Sequence, residues 1–287
     1  MNGQKTRRIL LDSEAYPEKL KVLPNPRPIF VRGRQELLNR PSLAIVGSRD
    51  CSLYGVAVAT QIGRKAAELG VVVVSGLAKG IDTAAHRGAL EARGETIAVL
   101  GNGLDCCYPA ANQKLQHQIG VDGLLLGEYP DGTPPARYTF PARNRIISAL
   151  SDAVVVVEAG TRSGALITAE VAMDQGRPVY AVPGNLTSVS SFGTNKLIAE
   201  GAQIVYAVDQ MFLEIWGRQP AGSREDGLAE EEQQVMEAIR AAGGETTVDV
   251  ICHRINKYPS QVTGIITVLE MKGLVFCEMG KIGVASF

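Results

Sequence analysis

Five cations in this 287-residue chain stand where a strand ends or a helix begins: Arg49, Lys79, Arg143, Arg145 and Arg162. Three of them belong to loops built of glycine and small polar residues. These are Gly47-Ser48-Arg49, Ser75-Gly76-Leu77-Ala78-Lys79-Gly80, and Glu158-Ala159-Gly160-Thr161-Arg162-Ser163-Gly164. Gly101-Asn102-Gly103 and Pro183-Gly184-Asn185 have the same composition. Such loops let backbone N–H groups approach a ligand closely, and the helix N-termini behind them favour anions. A cation at a helix start opposes the helix dipole and costs stability unless an anion binds there. That conflict, repeated at several strand ends, predicts one phosphate-seeking pocket.

More specific chemistry is missing. No G-x-x-x-x-G-K-[ST] run is present, which excludes an ordinary P-loop. Gly101-Asn102-Gly103-Leu104-Asp105-Cys106 lacks the third glycine of a dinucleotide fingerprint. His86 follows Asp82 by four residues on one helix face, and a structural hydrogen bond explains it better than catalysis or a metal. Glu158 and Glu170 are the carboxylates that invite a catalytic reading, yet no nucleophile–base pair surrounds them. The five cysteines (51, 106, 107, 252 and 277) form no CxxC, and with three scattered histidines they predict no metal site and no cofactor.

The elements that must position these loops are legible as an alternation. Short apolar runs at Leu43–Val46, Val71–Val74, Ile97–Leu100, Leu124–Leu126, Val154–Val157, Val179–Val182 and Gln203–Tyr206 read as strands. They are nearly continuous, as in parallel strands covered on both faces. Helical spacing fills the gaps at Tyr54–Leu69, Ile81–Arg93, Ala111–Ile119, Arg143–Leu150, Ala165–Gln175 and Thr194–Glu200. The fold expected is α/β, an extended Rossmann-like, doubly wound and mostly parallel sheet. In such sheets ligands bind beyond the carboxyl ends of the strands, where the five cations cluster.

Residues 1–41 are punctuated by Pro17, Pro24, Pro26 and Pro28, and only Pro28–Arg32 reads as a short strand. They are expected to be an extension packing on a core at 42–216. Residues 217–228 have linker composition. In 229–287, three helical patterns (Glu230–Ala242, Val248–Ile255, Ser260–Lys272) and a hairpin (Leu274–Glu278, Ile282–Ala285) predict a small winged-helix domain. The chain carries a formal net charge of −1, so any nucleic-acid binding must rest on a local basic patch. That winged-helix segment has five basic residues against eight acidic, a net of −3, which points to protein contact or self-association rather than duplex reading. Met1–Leu11 has no apolar core of signal-peptide length, and no stretch approaches the ~20 apolar residues of a membrane span, so a cytoplasmic location is expected.

Several segments together resemble one family. Gly47-Ser48-Arg49, the run from Ser75 to His86, Phe140-Pro141-Ala142-Arg143-Asn144-Arg145, Ser163–Ala169, Pro183-Gly184 and Gly193–Ile198 are similar to the signature of the DNA-processing protein A family (DprA, also called Smf). The matches run in order through roughly residues 10 to 206. The resemblance implies a non-catalytic core that binds single-stranded DNA, loads RecA recombinase in natural transformation and recombination, and forms homodimers. It assigns phosphate and base contacts to Arg49, Phe140, Arg143, Asn144 and Arg145. Lys79 and Ser163-Gly164 become neighbours in the same pocket, with Gly47, Ser48, Ser75, Gly76, Gly80 and Gly184 in the loops that line it. Too little sequence precedes Ser42 for the helical N-terminal domain that some members carry, whereas the tail resembles their winged-helix domain.

Read without the resemblance, Phe140 suits core packing as well as stacking, and Arg143 and Arg145 suit ion pairs. A nucleotide hydrolase of the phosphoribohydrolase type shares the fold. Its P-G-G-x-G-T-x-x-E stretch is broken here at Glu158–Gly164, and Glu170 would have to be a displaced acid. A regulator reading duplex DNA with the winged helix is disfavoured by the acidic tail.

Overall fold

The apolar runs form the centre of a nine-stranded sheet in this computed structural model, which describes residues 5–216, 229–242, 245–271, 274–278 and 280–284. Its strands are β1 (Arg7–Ile9), β2 (Ile29–Gly33), β3 (Ser42–Val46), β4 (Val72–Ser75), β5 (Thr96–Leu100), β6 (Leu124–Gly127), β7 (Ala153–Val156), β8 (Val179–Ala181) and β9 (Gln203–Ile204). They lie in the order β1-β2-β6-β5-β4-β3-β7-β8-β9. From β6 through β9 all neighbours are parallel, while β1–β2 and β2–β6 are antiparallel. From β3 the chain winds outward through β4, β5 and β6, then returns to the other side of β3 with β7. The junction of β3 and β7 is therefore the topological switch point, where such sheets open a crevice at the strand ends.

The helices of this unit are α1 (Glu18–Lys21), α2 (Leu53–Glu68), α3 (Ile81–Glu91), α4 (Gln113–Asp122), α5 (Thr139–Leu150), α6 (Gly164–Asp174), α7 (Phe192–Ala199) and α8 (Val208–Trp216). Alternate residues of β3 enter different cores: Leu43 and Ile45 pack with α2, α3 and α8, whereas Ala44 and Val46 pack with α1, α5, α6 and α7. Burial on both faces explains why these strands read as unbroken apolar runs rather than alternating ones.

Two features differ from the sequence reading. The N-terminal extension enters the sheet itself, with Ile29 and Val31 of β2 fully buried between β1 and β6. Pro28 stands just before β2, where its missing N–H breaks no ladder bond. Helix α5 begins at Thr139, four residues before the expected start. Pro141 is accommodated because the first turn of a helix has no intrahelical use for its N–H.

The described residues from 229 onward form a second compact unit. Helices α9 (Glu230–Ala241), α10 (Val248–Ile255) and α11 (Pro259–Met271) enclose a core with Val235, Ile239, Ile251, Val262, Ile266 and Leu269. A small sheet of β10 (Glu245–Thr246), β11 (Val275–Glu278) and β12 (Lys281–Val284) completes it, in the order β10-β12-β11. Across Pro259–Met271 the only charged residue is Glu270. The expected linker at 217–228, Lys272 and Ala285 lie outside the described residues. Among the described residues, no helix is long and apolar enough to cross a membrane.

Candidate nucleic-acid interface

The strand-end loops are tied to one another by backbone contacts. Ser48 N–H donates to the Glu158 carbonyl (2.7 Å) across the switch point, and Ile81 N–H donates to Ser48 O (3.2 Å). Gly80, at φ +76°, brings the loop after β4 so close to the loop after β3 that a Cβ there would lie 2.3 Å from Ser48 O. Only glycine fits both that dihedral and that approach. Further along, Ala159 N–H donates to Ser190 O (2.8 Å) and Gly193 N–H to Ala159 O (2.7 Å). Asn195 exchanges two bonds with the backbone of Gly184 (3.0 and 3.1 Å), fixing the loop after β8.

The predicted cations divide into two groups. Arg49, Lys79 and Arg162 are exposed. Arg49 places its guanidinium carbon 5.5 Å from the centroid of the half-buried Phe140 ring, a cation–π contact. Phe140 settles at the end of β5 beside Gly101, where a Cβ would meet its ring at 3.1 Å. Its other aromatic neighbour is Tyr108, with centroids 5.2 Å apart. Lys79 and Arg162 make no ion pair or side-chain hydrogen bond with any described residue.

Arg143 is instead buried, at 5% exposure. Its Nη1 donates to Gly76 O (2.6 Å) and to Val99 O, and its Nε to Asn144 Oδ1 (3.1 Å). Gly76 is required by close approach, since a Cβ would meet Arg143 Nη2 at 2.2 Å. The counter-charge is Asp82, 6% exposed, whose Oδ2 accepts from Gly76 N–H (3.1 Å) and Ala78 N–H (3.3 Å). Burial pulls the Arg143 guanidinium down to about 10, with Asp82 opposing that shift and Arg49 adding to it. Burial likewise raises the Asp82 carboxyl, against the pull of Arg143 and the two amides. Arg145 is committed as well: its Nη2 meets both oxygens of Glu128 at 2.5 Å. Asn144 donates to Gly164 O (3.3 Å), joining α5 to the start of α6.

The remaining predicted residues are structural supports of the loops. Ser75 is buried and its hydroxyl donates to Ile45 O (2.6 Å). Ser163 caps α6, its Oγ accepting from Ala165 N–H, while a Cβ on Gly164 would meet nothing within 4 Å. Gly47 packs against Ile81, which a Cβ would approach at 2.5 Å. Glu158 is 3% exposed, and its carboxylate accepts from Ser52 N–H (2.8 Å) and Ser52 Oγ (2.6 Å), holding the residue that caps α2. That geometry gives Glu158 a fold role, and Glu170 is exposed on α6. His86 Nδ1 lies 2.7 Å from Thr96 Oγ1, whose own proton goes to Val73 O (2.7 Å). The Nδ1–H tautomer follows, and burial together with the Arg143 charge lowers the imidazole to about 3.

Sequence reasoning did not single out the partners Asp82 and Glu128, or the ring of Tyr108. The carboxylates gave no local signal, because Glu128 meets Arg145 and Asp82 offsets the Arg143 charge only once distant segments come together in the fold. Tyr108 had one weak signal, its place in the loop that follows Gly101-Asn102-Gly103.

The family model described as DNA recombination-mediator protein A matches residues 7–215, and that of the DprA winged helix domain matches residues 219–281. A DprA relative from Mycobacterium tuberculosis is 44% identical over 245 residues, covering 83% of this chain and 63% of its own length. This chain therefore spans less than two thirds of that relative. The X-ray structure of DNA processing protein A from Streptococcus pneumoniae superposes with a TM-score of 0.70 at 45% identity, covering 74% of this chain and 75% of that one. DNA processing protein A from Helicobacter pylori, whose structure was described for its single-stranded DNA binding mode, gives 0.66 at 33% identity over 72% and 94% of the two chains.

Proposed function

Because this chain belongs to the DNA recombination-mediator protein A family, we propose that its core holds single-stranded DNA at the strand-end crevice without reacting on it. The observation that carries the reading is the exposed Arg49 guanidinium held over the half-buried Phe140 ring at the switch point. A cation beside an aromatic face suits a phosphate followed by an unpaired base. Lys79 and Arg162 offer two further solvated charges at neighbouring strand ends. The H. pylori relative's single-stranded DNA binding supports the same ligand.

In this reading Arg143, Asn144 and Arg145 serve DNA from behind. They lock α5 to the ends of β4 and β5, to Glu128 and to α6, and so hold Phe140 in place. No side chain has to accept or donate a proton, and the carboxylate of Glu158 is engaged by Ser52. Delivery of the bound strand to RecA in transformation, a homodimeric core and a cytoplasmic location complete the proposal. The second unit is assigned to protein contact, since the exposed face of α11 carries no cation.

Fluorescence anisotropy with labelled single-stranded and duplex oligonucleotides tests the reading. The expected result is single-strand preference, with a log–log salt slope that becomes shallower by about 0.7 on Arg49→Ala. Absence of that preference, or an unchanged slope, refutes the assignment.

A further inference from the structure

We propose that Tyr108 is a nucleobase-stacking residue, whose ring extends the Arg49–Phe140 contact into a ledge for an unpaired base. The inference rests on the single-strand reading above and adds the residue that discriminates against duplex. The Tyr108 and Phe140 centroids are 5.2 Å apart with the planes 30° from parallel. That separation is within the range of favourable aromatic pairs. Yet Tyr108 remains 46% exposed, and its hydroxyl has no hydrogen-bond partner among the described residues. A tyrosine kept for packing buries its ring and pairs its hydroxyl. Tyr108 packs against Phe140 alone among the aromatic rings and leaves its hydroxyl to solvent, in a chain with only 5% aromatic residues.

The loop that carries it is held from both sides. Asn102 and Gln116, both buried, each donate an amide proton to the carbonyl of Cys106, two residues before Tyr108 (2.8 and 3.2 Å). Four residues after it, Asn112 donates to Leu77 O and Thr83 Oγ1 (both 2.9 Å), which flank the Lys79 loop. The ring is thus presented on a fixed platform beside the cations, with little ordering left to be done when a ligand arrives. Bases in a duplex are already covered on both faces, so only an unpaired base can occupy the ledge.

The test compares a labelled oligothymidylate, the same strand bearing abasic sites, and a duplex, across a salt series, for the parent, Tyr108→Ala, Tyr108→Phe and Arg49→Ala. Loss of the ring is expected to raise Kd on the intact strand by roughly 5- to 100-fold, with the parental salt slope, because stacking releases no counterions. Tyr108→Phe should bind as the parent does. On the abasic strand Tyr108→Ala should add no further loss. Parental affinity in Tyr108→Ala, or equal loss on intact and abasic strands, overturns the stacking role while leaving the Arg49 assignment standing. A parent protein without single-strand preference removes both. Should Tyr108→Ala fold poorly, the doubly substituted Tyr108→Trp, Trp216→Phe protein has its only tryptophan at the ledge. Its emission should be quenched by the intact strand and not by the abasic one, and equal response to the two strands refutes the proposal.

Discussion

Truncating Arg143 should destabilise the core rather than merely weaken a ligand contact. Arg143→Ala removes a side chain that is 5% exposed and leaves Asp82, 6% exposed, without its counter-charge. It also strips a donor from Gly76 O and Val99 O. Leaving a buried carboxylate without its nearest counter-charge and two buried carbonyls without their donor costs about 3–5 kcal/mol. That is a large share of the roughly 5–15 kcal/mol available to a folded domain. With a urea slope of about 3 kcal/mol per molar, the midpoint should fall by roughly 1–1.7 M. Trp216, the only tryptophan in the chain, stacks on Phe212 in α8 at 5.5 Å, so its emission follows this unit alone. Arg49→Ala, at an exposed site, should stay within about 0.5 kcal/mol of the parent. Replacing both partners, Arg143→Met with Asp82→Asn, should recover much of the loss, since no buried charge is then left unpaired. A stable Arg143→Ala protein that has lost DNA affinity would refute the reasoning and return Arg143 to direct contact with the strand.

Acid should destabilise the core through His86. Its folded value of about 3 lies below the ordinary 6.5, so the unfolded chain binds the extra proton between those limits. Stability is then complete above about pH 6.5 and falls as pH drops, by about 2 kcal/mol at pH 5; urea titrations at pH 7 and 5 should show a smaller difference in His86→Gln. Gly80→Ala should lose at least about 2 kcal/mol, from positive φ and collision with Ser48 O, read as a lower melting temperature. A chain ending at residue 216 should keep its single-strand affinity within about threefold and its salt slope unchanged, because α11 offers no phosphate ligand, and anisotropy checks this directly.

What could be read in advance followed from burial. Leu43–Val46 and Val154–Val157 announced central parallel strands because both their faces are covered, and the loops after them announced a ligand crevice. The start of α5 was hidden by Pro141, which looks like a boundary and is in fact a first-turn residue. The sheet role of residues 7–9 and 29–33 was hidden because antiparallel edge strands are short and this segment is rich in proline. Arg49 and Arg143 look alike in sequence, each at a strand end or helix start. Their separation into a solvated cation and a buried strut depends on the Gly76 and Val99 carbonyls that receive the Arg143 guanidinium, which no spacing rule encodes.

The position of β2 has a consequence for synthesis on the ribosome. Ile29 and Val31 are buried only when β2 pairs with β6, whose register partners include Leu125 and Leu126. Some ninety-five further residues must be polymerised before that partner exists. At about 5–20 residues per second, the N-terminal strands wait roughly 5–20 s with their apolar faces uncovered. The nascent chain therefore passes through an interval in which its first strands need shielding by something other than the sheet they will join.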